Sequence, residues 1–569
     1  MPPDRSACRQ FVAAAAMWSA LAAAALPAQA IRYTVEPVRG DTGLDLRVSM
    51  TFPAEASGET ELLLPRDRFG VPRMYRFVRD VQVLPPARLL ARDDSTVRIG
   101  HDPQTAVSVR YTIRYDSAQA GFVAFGPSVS PQHYHFLGSQ WMARVGPSDS
   151  VRQFIVQVTP GNLGGTVAGS FGIAPGEHEL SASYEDIEWT VIAGGAYRED
   201  RFTCAGRPVA TLLYGAMQVP DDSIFALSRA IVCGEREIFA EQGQPFYSAI
   251  VIAREHLRAG ASYINAFSGF MRPDSRGDQV ALLLAHEMMH DWLPRRLRLV
   301  PGPDEAAGVE FSSFHDIRYD WFHEGFTEYL ARRVLVRTGL ATEDWFAARL
   351  NADLRQLATH PYRTLPARGL EEAVRTRRYT NVHQRLSYYR GAVLAFNWDA
   401  AVRRSSGGQA DLLDVIRRLL AVAATNGGRI ARPQFEEVVA GFGIPAQSDV
   451  ARYALGGEAF PVDSAGLGPG WVLRSRAVPL YEAGFDVGVS AVRDTVIGVD
   501  PAGPAYAAGL REGMPIVRMS NESPGAQGWR ADLPITVVVR DGEAERTIEF
   551  MPIVRQASEP YFERRPRPD

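Results

Sequence analysis

The chain has 569 residues, of which 46% are hydrophobic and 22% charged, and a formal net charge of -4. Its length exceeds one ordinary domain, and its charge gives no general attraction to nucleic acid or to an anionic membrane. Every cation is an arginine, which excludes Schiff-base lysines, the P-loop lysine and Ser–Lys dyads, and no G-x-S-x-G nucleophile elbow is present.

Residues 1–30 read as a secretory signal peptide. Arg5 and Arg9 precede the apolar run "FVAAAAMWSALAAAAL", and Ala28 and Ala30 stand at the small-residue positions before a cut. Cleavage near Ala30 would release a secreted or periplasmic protein of bacterial type, with no stable membrane insertion afterwards. Cys8 leaves with that segment. Cys204 and Cys233 then form either a disulfide closing a loop of about 30 residues, worth roughly 3 kcal/mol, or a pair of buried thiols.

From 31 to 205 the pattern is β-rich. "LDLRVSMTF", "AVSVRYTIRY" and "RQFIVQVTP" alternate or cluster β-branched residues between Gly, Pro and Asp turns. His133 and His135 fall on one such strand, without a third ligand nearby, and read as ordinary sheet residues. The texture changes near Pro208. The stretch "DDSIFALSRAIVCGEREIFAEQG" is helical, and from Gln279 to about Leu455 helical periodicity dominates. Residues 206–460 therefore read as a separate, mainly helical domain. A Gly/Pro-rich linker precedes a small β module over 472–555, and 556–569 reads as a disordered tail.

The chemistry concentrates at "LLLAHEMMHDWLP", residues 282–294. On a helix, four residues of spacing bring His286 and His290 onto one face within reach of one ion. Glu287 stands beside that ion, where a carboxylate can take a proton from water. A catalytic zinc needs a third protein ligand and an open fourth position. Downstream, "YDWFHEGFTEYLARRVLVRTGL" carries Glu324 and Glu328 at i, i+4. One can ligate zinc while the other holds a ligating histidine by its free N–H. On a merely solvated helix the same acids would pair with Arg332 and Arg333.

"HEMMHDWLPRRLRL" followed by "WFHEGFTEYL", and later "LSYYRGAVLAFNWDAAVRRSSGG", resemble the gluzincin zinc metallopeptidases, specifically the glycyl aminopeptidase family with a C-terminal PDZ domain. The resemblance implies a multidomain α+β fold: a β-rich N-terminal domain, a thermolysin-like catalytic domain and a small PDZ-like β domain. It makes His286, His290 and Glu324 the ligands of one Zn2+, Glu287 the general base and Glu328 the group behind a ligand. Tyr388 takes the place of a tyrosine that hydrogen-bonds the oxyanion, with Tyr389 the alternative. The substrate it implies is a peptide or protein, in the family peptides led by Gly or Ala. It also implies that the PDZ-like module takes a peptide C-terminus or an added strand, with 483–488 as the carboxylate loop.

The sequence departs from that family in one functional motif. The Gly-x-x-Glu strand, whose glutamate grips the substrate amine, corresponds here to "AGASYINAFSGFM", which has no acid. Asn265 is the nearest polar candidate there. His323, Leu293 and Arg390 also differ from the family pattern. Two other readings stay open: a catalytically silent, zinc-containing peptide-binding protein, and a zinc hydrolase of a non-peptide substrate.

Overall fold

The computed structural model describes residues 30–40, 43–66, 73–103, 105–116, 125–240, 244–255, 257–305, 308, 310–312, 315–360, 362–376, 381–487, 490, 494–519, 534–542 and 544–566. The expected signal segment lies outside the described residues, apart from Ala30.

In the N-terminal region, alternation of side chains turns directly into sheet. Ile31, Tyr33 and Val35 of strand Ile31–Arg39 point inward and their neighbours outward, as a period of two requires. This strand pairs antiparallel with Leu44–Pro53 and parallel with Arg152–Val158, at the centre of a six-stranded sheet. Two four-stranded sheets complete the region, and its core includes Tyr33, Phe52, Tyr111, Trp141 and Phe154.

A five-stranded sheet follows, in the order Arg198–Cys204, Arg207–Tyr214, Tyr247–Ala253, Ala266–Met271, Ala259–Tyr263. Its first hairpin straddles the boundary expected at 205–206. Cys204 and Cys233 form a disulfide that ties this hairpin to the first long helix, which resolves the alternative the sequence left open. The Ala259–Tyr263 strand lies at one edge of the sheet, beside the helices.

The helices are α1 (Asp221–Ile238), α2 (Gly277–Met289), α3 (Thr327–Arg337), α4 (Glu343–Thr359), α5 (Ala367–Arg375), α6 (Asn381–Ser405), α7 (Leu412–Ala424) and α8 (Arg432–Ala440). α2 begins where the Gln279 side chain accepts the Arg276 N–H at 2.9 Å, with Asp278 in its first turn to suit the helix dipole. Val280, Ala281, Leu284, Ala285 and Met288 bury one stripe of α2 in the same core as Leu330, Val334, Phe396 and Trp398. No helix among the described residues is long and apolar enough to cross a membrane.

The C-terminal part departs from expectation at its end. Strand Ile553–Arg564 occupies much of the stretch expected to be a disordered tail, pairing antiparallel along its length with Trp471–Glu482. The reason is tertiary. Phe562 is 3% exposed and packs on Phe396, and its backbone N–H and C=O both bond the Asn351 side chain of α4. Arg564 pairs with Asp344. Between these ribbon strands sits a small module. Strands Ile516–Met519, Ile535–Asp541 and Ala544–Phe550 pack with the short helix Pro504–Ala507 around Phe485, Val496, Leu510, Val537 and Ile548.

Candidate active site

His286 lies in the last turn of α2, and His290 is the residue that closes the helix. Their Nε2 atoms are 3.1 Å apart. Glu324 Oε2 lies 3.4 Å from Nε2 of His286 and 3.5 Å from Nε2 of His290. Ligands each about 2.0 Å from one tetrahedral ion lie about 3.3 Å from one another, so the spacing suits a single zinc. The opposite ring nitrogens are already engaged. His286 Nδ1 bonds Glu328 at 2.9 Å, and His290 Nδ1 bonds the Leu293 carbonyl at 2.7 Å. Both rings are thereby turned with Nε2 toward the third donor, the orientation that metal-ligating histidines require.

Glu324 reaches this point through an irregularity. Trp321–Phe326 is a π-helical turn running into α3, and such turns recur at functional sites. Thr327 Oγ1 donates to the His323 carbonyl at 2.7 Å, supporting that turn. His323 is fully buried, and its Nε2 accepts the Leu299 N–H at 3.0 Å, so it anchors the short strand Arg298–Val300. Two glycines fix the next contact. A Cβ on Gly391 would come 1.8 Å from the Trp321 carbonyl oxygen, and one on Gly325 2.4 Å from Gly391 Cα. Backbone therefore meets backbone, and α6 carries Tyr388 in against Glu324. The Tyr388 hydroxyl lies close enough to Glu324 for the carboxylate to raise its pKa further, beyond the effect of burial, and its ring stacks on His286 with centroids 5.9 Å apart. Tyr389 turns away toward His360.

Glu287 is 4% exposed, and its Oε2 is buried without a hydrogen-bond partner. Burial raises its pKa above the usual carboxylate value, opposed by the two histidines. Burial alone would lower the pKa of His286, but Glu324 and Glu328 push it up to about 10. Three clustered carboxylates and an orphaned carboxylate oxygen thus call for positive charge at the point where the Nε2 atoms converge. The donor set fits a divalent zinc ion.

Glu328 also pairs with Arg332 at 2.7 Å, and Arg332 pairs with Asp353. The ion pair expected on a solvated helix and the hold on a histidine therefore coexist in one residue, while Arg333 pairs with Glu343 instead. Asp353, on α4, was not legible as part of this chain of charges.

The edge strand corrects another expectation. Gly260 lies against the site: a Cβ there would stand 2.3 Å from the Glu287 carboxyl. Asn265, with φ 54, sits in the turn after the strand, on the order of 15 Å further on at about 3.3 Å per residue. It cannot replace the missing amine anchor.

Residues 279–394 match the family model of the M61 glycyl aminopeptidases. No curated protein sequence matches the chain. Among solved structures, an aminopeptidase N family protein from Idiomarina loihiensis has a TM-score of 0.68 at 16% identity, over 94% of this chain and 98% of that one. An M1 zinc metallopeptidase from Deinococcus radiodurans is more distant, with a TM-score of 0.45 at 15% identity over 76% and 95%. Yeast LTA4 hydrolase scores 0.44 at 13% over 76% and 68%. The match over 279–394 takes in both histidines, Glu287, Glu324 and Tyr388, and it marks this segment as that of an aminopeptidase-like zinc metallopeptidase.

Proposed function

We propose that this chain hydrolyses peptide bonds, with His286, His290 and Glu324 holding one zinc ion and Glu287 acting as general base. The observation that carries the reading is the convergence of three donor atoms beside a buried carboxylate that has no other partner. When bound there, zinc supplies Lewis acidity toward the scissile carbonyl and the attacking water. Glu287 takes the proton from that water and delivers it to the leaving amine. Its raised pKa makes it a better proton acceptor than an ordinary carboxylate. Tyr388 donates its O–H to the carbonyl oxygen as negative charge develops. Glu328 and the Leu293 carbonyl hold the two imidazoles in orientation.

The likeness to glycyl aminopeptidases supports Gly and Ala beside the cut, and the resemblance of 472–555 to a PDZ domain supports capture of a peptide end or strand there. Residue 488 of the expected carboxylate loop lies outside the described residues. The N-terminal segment and the Cys204–Cys233 disulfide support export to an oxidising compartment.

The test uses zinc-loaded mature protein and its Glu287→Gln variant on Gly- and Ala-led peptides, with free and with acetylated N-termini, read by mass spectrometry. Hydrolysis by the parent alone supports the reading. Cleavage of acetylated peptides would make the enzyme an endopeptidase. No hydrolysis of either set would favour a peptide-binding protein instead.

A further inference from the structure

Aminopeptidases of the resembled family place an acid on the edge strand, but here Leu257–Met271 contains none. Cations stand there instead. Arg258 stands just before strand Ala259–Tyr263 and two residues before Gly260, the residue that meets Glu287; an extended entry into the strand would place the two on the same side. From the opposite wall, Arg385 lies one turn before Tyr388 on α6, its guanidinium 5.0 Å from the Tyr388 ring centroid. That ring stacks on His286.

Arg258 and Arg385 are close enough for their charges to act on one another. Both are exposed. Among the described residues neither is paired with a carboxylate. Arg276 and Arg349, also near Arg258, are both committed to Asp278. Glu328 acts on both Arg258 and Arg385, and Glu324 and Asp353 act on Arg385; Glu328 is already bonded to His286 and Arg332, Glu324 lies among the zinc donors, and Asp353 pairs with Arg332. Two guanidiniums thus stand within electrostatic reach of one another beside the zinc donors, with their hydrogen-bond capacity toward carboxylates unused.

We propose that Arg258 and Arg385 select the substrate by charge: the cleft prefers peptides that carry a carboxylate beside the scissile bond. A free N-terminal ammonium at that place meets like charge instead of an anchoring acid. The carboxylate has three sources: an Asp or Glu before the cut, one after it, or the C-terminus of a very short peptide. This inference rests on the peptidase reading for its catalytic consequence, but not for binding.

The experiment compares neutral Ala-based peptides with versions carrying Glu before the cut, Glu after it, or a free rather than amidated C-terminus. The expected result is that one acidic series is preferred in kcat/KM by about tenfold or more, the scale of one charge-assisted hydrogen bond. The preference should appear mainly in KM and shrink with added salt. Arg258→Gln and Arg385→Gln should each reduce the ratio, and the double variant should bring it near one, while Arg258→Lys and Arg385→Lys restore part of it. Because Arg385 touches Tyr388, the Arg258 variants give the cleaner reading. An unchanged ratio in the double variant, or a preference for neutral peptides in the parent, overturns the proposal. Calorimetric binding to the Glu287→Gln protein separates the two layers. If no peptide is hydrolysed but acidic peptides still bind tighter through these arginines, the charge selection stands and the peptidase reading falls; equal binding of acidic and neutral peptides overturns the selection.

Discussion

Two histidine pairs in this molecule meet opposite fates. His133 and His135 lie on a strand, 4% and 1% exposed. His133 bonds the hydroxyls of Ser128 and Ser130, and His135 bonds Ser268. Burial, helped by the charge of Arg254, lowers their pKa values to about 4 and about 3. His286 is buried as deeply, yet its pKa rises to about 10 because its partners are Glu324 and Glu328. Burial is common to His133, His135 and His286. What separates them is the charge of the groups around the rings: hydroxyls bond a neutral imidazole and add no charge, whereas clustered carboxylates create a demand for a cation.

The sharpest way to break this contrast is at the carboxylates. Glu287→Gln should lower turnover by about 10²–10⁴-fold, the usual contribution of a general base, while metal analysis finds the zinc content of the parent. Turnover near that of the parent would remove Glu287 from its role. Tyr388→Phe should lower kcat and kcat/KM together by about 10²–10³-fold, as for other oxyanion donors; a change confined to KM would make it a binding group. Glu328→Gln should weaken zinc binding by about 10–100-fold, measured by competition with a chelator. The pH profile sharpens the comparison further. Glu287 must be ionised to accept a proton, and its pKa is raised by burial. Activity should therefore be lost as pH drops through the pKa of Glu287, which burial raises and a bound zinc ion lowers, and the acid limb of kcat/KM reports the balance of the two. The smallest effect belongs to the other pair: His133→Gln and His135→Gln should leave bound zinc unchanged.

Much of the site was legible because it is local. His286, Glu287 and His290 share one helical face by spacing alone, and Glu324 with Glu328 repeat the same interval. The choice of Glu324 as the third donor and of Tyr388 as its neighbour came from family resemblance, and the structure brings both to the histidines. What escaped was set by backbone approach over long sequence distances. Gly325 against Gly391, and Gly260 against Glu287, leave no periodic trace, because a glycine chosen for closeness reads like one chosen for a turn. Asn265 looked near the site in sequence, and only the path of the edge strand removes it. The last strand was misread for a related reason. "EPYFERRPRPD" has the composition of a solvated tail, and the single large apolar side chain that docks it, Phe562, has its partners on α4 and α6.

The paired strands Trp471–Glu482 and Ile553–Arg564 have a mechanical consequence. A module joined by one covalent thread can swivel about it. Here the chain passes out and back along two hydrogen-bonded rails, and Phe562 bolts the returning rail to the helical domain. Twisting the small module about that axis would have to shear the ladder between the rails, so torsion is stiff while bending of the ribbon stays soft. The ribbon thus limits how far the module can turn its faces relative to the catalytic domain.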